Sequence, residues 1–355
     1  MLISRRSLMT AAASLTAGAG LSPLARALPG HLRQRAGINL AGAEFGRVPG
    51  VMGTDYGYPG PVHMDYFATA GLDLVRLPFR WERLQPCLFG AFDVAERARL
   101  EACVRSARAR GLTVVIDPHN YGRRYLAEDG WNREHLIGSS AVPVAAFADF
   151  WARLAVLHRD DGEVWLGLMN EPYDMPVAQW LEAAQAALTA IRGAGARSLV
   201  LVPGTNWSGA HSWLASGNDR MALIRDPANT IAIEVHQYFD ADSSGSSPIA
   251  VSATIGSERI TEFQDWARRT GMRAFLGEFG FADTPRMLAA GRDLLASLAR
   301  APDVWIGWAA WAAGPRWPED AIYLLEPRPD GSMRPQTQVL VEAAAWLRLP
   351  SGRGR

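Results

Sequence analysis

Two glutamates end short apolar runs in distant parts of the chain: Glu171 in WLGLMNEPYD and Glu278 in FLGEFGF. A carboxylate at the edge of a core is costly unless it is paired or used. Two of them brought together suit glycoside hydrolysis. One protonates the leaving oxygen and the other attacks the anomeric carbon, with roughly 5–5.5 Å between the carboxyl groups in a retaining arrangement. Such a pair needs environments that push its two pKa values apart. Arg76 and the Tyr238 hydroxyl are expected to hold Glu278 ionised, and burial beside that anion to keep a proton on Glu171.

Other polar and aromatic residues fall at similar places, each just after an apolar run: Arg76, His119 with Asn120, Asn170, Asn206 with Trp207, His236 with Tyr238, and Trp308 with Trp311. Any one of them alone could be structural. His119 and His236 raise a metal alternative, but the short-spaced H-E-x-x-H pair is missing from the sequence. Glu234 lies inside its run, on the face of His236, and reads as a buried partner for a neighbouring strand. Glu44 and Glu82 are further acidic candidates. Trp207 and Trp213 could serve as sugar platforms or as core.

The elements that must position these residues repeat one pattern, a helix-period segment ending at glycine followed by a short apolar strand. DYFATAG precedes LDLVRLPF, ACVRSARARG precedes LTVVIDPH, and WARRTG precedes MRAFLGEFG. Gly71, Gly111 and Gly271 stand where a left-handed helix-ending residue is wanted. Strands are expected near 37–40, 72–77, 113–117, 164–169, 199–202, 231–236, 273–277 and 304–309. They are continuous apolar runs, which indicates burial on both faces. Eight such units imply a single-domain α/β fold, the (β/α)8 TIM barrel, with the polar residues above at the C-terminal ends of its strands. A doubly wound sheet is disfavoured, because AGAEFGRVPG after the first strand lacks the G-x-G-x-x-G turn.

Composition narrows the function further. The 355 residues carry 36 basic and 36 acidic side chains, and every basic residue among those 36 is arginine. With no basic stripe, nucleic acid and anionic membranes are not expected partners. The two cysteines, Cys87 and Cys103, make no disulfide framework and are expected to be free and buried. Residues 1–27 read as a twin-arginine export signal, with Arg5-Arg6, a mildly apolar run, and Ala25-Arg26-Ala27 before the cleavage point. This leaves 28–355 as the catalytic domain, in the periplasm or secreted. No span long enough to cross a membrane is expected in the mature chain.

The stretches GTDYGYP, RLPFRWERLQP, DPHNYGR, MNEPYDM, NWSGAHSW, VHQYFDADSSG, GEFG and WAAGPRW occur in that order from about residue 37 to 330. The chain thereby resembles the endoglucanases of glycoside hydrolase family 5, in the branch with fungal and proteobacterial secreted endo-β-1,4-glucanases. The resemblance implies a retaining hydrolase of cellulose-type β-glucan that needs no cofactor or metal, and a monomer is expected. Glu171 looks like the acid/base and Glu278 like the nucleophile. Asn170 and His119 match residues that bind the sugar at the cleavage point. Arg76 and Tyr238 match supports of the nucleophile, His236 a residue beside the acid/base, and Trp311 the tryptophan under the sugar ring. One departure is Arg316-Trp317 after WAAGP, where relatives often have two aromatics. Mannan, mixed-linkage glucan and xyloglucan therefore remain alternative substrates, and a non-hydrolysing carbohydrate-binding barrel remains an alternative of another class.

Overall fold

The computed structural model describes residues 33–348. The export signal expected at 1–27 lies outside the described residues. Eight parallel strands close into a barrel: β1 Arg35–Leu40, β2 Leu74–Phe79, β3 Thr113–Pro118, β4 Val164–Gly167, β5 Val200–Pro203, β6 Ile231–His236, β7 Ala274–Glu278 and β8 Trp305–Ala313. Each pairs with its sequence neighbours, and β1 closes on β8 through Arg35 opposite Gly307. This is the (β/α)8 barrel expected from the eight apolar runs.

Helices cover the outside between most strands. Asp93 caps Val94–Arg108 by accepting from the Ala95 and Glu96 amides, and Thr284 caps Pro285–Arg300 by accepting from the Met287 amide. Gly71 and Gly271 end their helices in left-handed geometry at φ 99° and 68°, which is what their position in the sequence pattern implies. The connection between β5 and β6 differs from the rest. It has only 3-10 turns, at Asn206–Ser208, Ala210–Ser212 and Asn218–Leu223. Trp213 fills that place as core, fully buried against Phe263 and Trp266.

The interior of the barrel is layered. Towards its N-terminal end Leu74, Val115, Trp165, Leu199, Leu201, Ala232, Phe275 and Ile306 pack together. Two residues further along several of the same strands the inward positions become Arg76, Asp117, Gly167, Glu234 and Gly277. Strand side chains alternate between faces, so a step of two keeps the direction and changes only the depth.

Three expectations need correction. Both cysteines are free, but only Cys103 is buried; Cys87 is exposed. Trp308 is 1% exposed and packs edge-on against Phe279 in the core, not at the rim. Glu234 does not serve a neighbouring strand; its carboxylate meets Arg76 of β2 across the barrel at 3.0 Å. Sequence assigns a residue to the inward face but does not say which strand the closed barrel sets opposite it.

Candidate active site

Glu278 is the last residue of β7, and Glu171 lies four residues beyond the end of β4. The Glu171 backbone has φ 40°, a left-handed conformation uncommon for a non-glycine residue and frequent at functional sites. One oxygen of each carboxylate and a ring nitrogen of His236 all lie within 4.8 Å of one another. His236 Nδ1 stands 2.6 Å from Glu171 Oε1 and 3.7 Å from Glu278 Oε2. The closing of the barrel thus sets the two glutamates face to face with an imidazole beside them. By distance the trio could hold a cation. However, Arg76 already places a guanidinium 2.9 Å from Glu278, which opposes a second cation there.

Arg76 is fully buried and serves several partners. Its Nη1 donates to Glu278 Oε1 at 2.9 Å and to Asn39 Oδ1 at 2.9 Å, and its Nη2 donates to Asn170 Oδ1 at 2.8 Å. Asp117 lies 3.1 Å from the same guanidinium. The Tyr238 hydroxyl donates to Glu278 Oε2 at 3.2 Å. Asn170 is thereby oriented by the same arginine that contacts Glu278.

The titration of the cluster follows its crowding. Burial raises the Glu278 carboxyl, His236 and Arg76 oppose that, and Glu171 adds to it; the net direction is up. Arg76 and Tyr238 contact Glu278 as the sequence reading expects, but they do not hold its pKa down. The physical reason is burial first, reinforced by the neighbouring Glu171 charge, while the one guanidinium that opposes it is shared among three carboxylates. Burial opposes a charge on His236, yet Glu278 and Glu171 outweigh it and push the imidazole up to about 10. Burial also works to raise Asp117, but Arg76 and His119 hold it low.

Two walls flank this centre. On one side His119 stacks on Trp311 with ring centroids 5.5 Å apart and 20° between planes, and His119 Nδ1 is fixed by Asp117 at 2.8 Å. Trp317 meets Trp311 edge-on at 6.0 Å and Phe45 at 5.2 Å. Arg316 turns away to donate to the Gly53 and Thr54 carbonyls. On the other side a cleft of about 610 Å³ is lined by Tyr121, Glu171, Trp207, His211, Tyr238 and the 242–244 loop. Trp207 is 49% exposed and stacks on Tyr173 at 4.9 Å and 7°, and Arg123 lies over the Tyr173 ring at 3.9 Å. Asp240 shapes the loop by accepting from the Gly245, Ser246 and Ser247 amides at 3.0–3.2 Å.

Of the residues singled out in the sequence, Arg76, His119, Asn170, Glu171, His236, Tyr238 and Glu278 meet at one centre, with Trp311 and Trp207 on its two walls. Asn120 and Glu82 do not join them. Asn120 accepts from the Trp81 amide and donates to Glu82, while Glu82 accepts from the Tyr125 amide, so both organise loops. Asp117 and Tyr173 also belong to the site, and neither is among the residues singled out in the sequence. The run TVVIDPH carried a signal for Asp117, since an acid two residues before His119 shares its face. Tyr173 carried none, because its direction depends on the left-handed turn at Glu171.

The family description Cellulase (glycosyl hydrolase family 5) matches residues 34–314. Endo-beta-1,4-glucanase B of Aspergillus niger is 39% identical over 298 residues, 83% of this chain and 86% of the relative. Among solved structures, an endo-beta-1,4-glucanase from Xanthomonas axonopodis pv. citri is 43% identical with a TM-score of 0.84, covering 88% of this chain and 99% of that one. Endoglucanase Cel5A from Pseudomonas stutzeri, solved with cellobiose, is 36% identical with a TM-score of 0.80, covering 87% and 92%. A match over most of the barrel, with these identities and this shared architecture, places the chain in glycosyl hydrolase family 5 and makes it a glycoside hydrolase.

Proposed function

We propose that the protein is a retaining endo-β-1,4-glucanase acting on cellulose-type chains, with Glu171 as acid/base and Glu278 as nucleophile. The observation that carries this reading is the separation within 4.8 Å of an oxygen from each glutamate. An inverting pair stands about 6.5–9.5 Å apart to admit a water, whereas a retaining pair is closer. The relatives named as endo-beta-1,4-glucanases support the substrate class.

In the first step Glu171 gives its proton to the glycosidic oxygen as that bond breaks, and a Glu278 oxygen bonds to the anomeric carbon. Glycosylation removes the Glu278 charge. Glu171, now a carboxylate hydrogen-bonded to His236, takes a proton from water as the water oxygen attacks the same carbon and releases Glu278. Asn170 and His119 face the reacting sugar, Trp311 lies under it, and Trp207 with Tyr173 receives the leaving portion. Proton NMR of the first anomer released from a short cello-oligosaccharide tests the reading. The β-anomer is expected, and the α-anomer would refute it. Rates on carboxymethylcellulose, barley glucan and mannan measured side by side separate the substrate alternatives. Residues 1–27 are proposed to direct twin-arginine export; Arg5→Lys with Arg6→Lys should hold the enzyme in the cytoplasm.

A further inference from the structure

One buried carboxylate has no part in those two steps. Glu234, 1% exposed, lies on β6 two residues before His236 and one layer beneath the paired glutamates. Its Oε1 stands 3.0 Å from Arg76 Nε and 3.6 Å from His236 Nε2. These two cations are the ones in contact with the pair: Arg76 with Glu278 at 2.9 Å, and His236 with Glu171 at 2.6 Å. A single carboxylate therefore backs both. A glycine leaves space for it on β7. A Cβ at Gly277 would come within 2.2 Å of Glu234 Oε1, whereas one at Gly167 would only touch Oε2 at an ordinary contact distance. Neither Glu234 oxygen receives a well-aligned hydrogen bond among the described residues, so its contribution is mainly charge.

We infer that Glu234 is a positioning residue for both reacting carboxyls: it holds Arg76 and His236 from below and, by sharing their positive charge, sets the pH range of the reaction. This rests on the roles proposed for Glu171 and Glu278. The other ionisable groups around it are Asp117 on β3, His119 just after β3, Glu171 after β4, Tyr238 after β6 and Glu278 on β7. Asp117 shares Arg76 at 3.1 Å and pairs with His119, and Tyr238 donates to Glu278. Neutralising Glu234 removes one of the anions competing for Arg76 and His236. More of each cation's field then falls on Glu278 and Glu171, so both ionise more readily. The acid and alkaline limbs of kcat/KM, which belong to the pair of carboxyls together, both move to lower pH. Glu234 lies below the rim and touches no sugar, so the change appears in kcat rather than in KM.

The test is the pH profile of wild type, Glu234→Gln and Glu234→Asp on a soluble cello-oligosaccharide, with Glu171→Ala and Glu278→Gln assayed in parallel. Glu234→Gln is expected to shift both limbs down by about half a pH unit or more, with kcat lowered and KM within about twofold. Limbs that coincide with wild type would overturn the inference. If Glu234→Gln does not fold, Glu234→Asp decides, because it keeps the charge at shorter reach. It should leave both limbs in place while kcat falls, and an unchanged kcat or displaced limbs would overturn the proposal. Activity surviving in Glu171→Ala or Glu278→Gln would instead refute the underlying assignment, so the two failures are distinguishable.

Discussion

The lower and upper interior of the barrel are built from the same strands and differ in almost everything else. Leu74 and Arg76 are two residues apart on β2, Val115 and Asp117 on β3, Ala232 and Glu234 on β6, and Phe275 and Gly277 on β7. Below, apolar side chains fill the space and stabilise by burial. Above, one guanidinium is within 3.1 Å of three carboxylates, Asp117, Glu234 and Glu278. Buried charges like these are weak sources of stability, and they are strongly destabilising when one partner is removed. The comparison indicates that the lower layer carries fold stability while the upper layer depends on it to hold charged groups in working positions.

The largest expected effect breaks the upper layer at its proposed chemistry. Glu278→Gln and Glu171→Ala should each lower glucan hydrolysis by several orders of magnitude, read as initial rates of reducing-end release from the folded fraction. Arg76→Met comes next. It leaves the buried carboxylates without their shared cation, and it should cost about 3–5 kcal/mol in urea unfolding along with nearly all activity. Phe275→Ala sharpens the contrast. A cavity in the lower layer should cost a similar amount, about 3–5 kcal/mol. However, the folded fraction should keep kcat within about twofold of wild type. If Phe275→Ala abolished activity while folded, the division between the layers would fail. Trp207→Ala acts on the wall alone; losing its stacking face should raise KM by up to about tenfold with kcat nearly unchanged, since aromatic contacts contribute about 0.5–1.5 kcal/mol beyond area.

A separate effect is a pH dependence of stability. The His236 imidazole rises from 6.5 to about 10 on folding. A group raised in the folded state contributes stability in full below its unfolded value, and that contribution is lost as pH rises through the folded one. Urea midpoints of wild type should therefore fall from pH 6.5 towards 10 by more than those of His236→Gln. Parallel slopes would remove His236 as a charged partner of the pair.

Much of this could be read from the amino-acid order. The eight apolar runs mark the strands because parallel barrel strands are buried on both faces. The glutamates, His236 and Tyr238 declare themselves because polar residues at strand ends stand out against those runs. The remainder depends on what is adjacent across the barrel. Glu234 reads as a strand partner until closure sets β6 opposite β2. Trp308 and Trp311 look alike in sequence, yet one packs on Phe279 and the other stacks with His119. The missing helix between β5 and β6 is hidden as well. Its place is taken by turns with left-handed Asn206, Trp207 and Ser208, a run of conformations that these residue types do not announce.

The most direct test is to trap the enzyme with a slowly turned-over fluorinated cellobioside and map the adduct by peptide mass spectrometry. The account predicts one glycosyl unit per chain, bound to the peptide containing Glu278. An adduct on Glu171, or complete turnover with no covalent species under conditions where product forms, would contradict it.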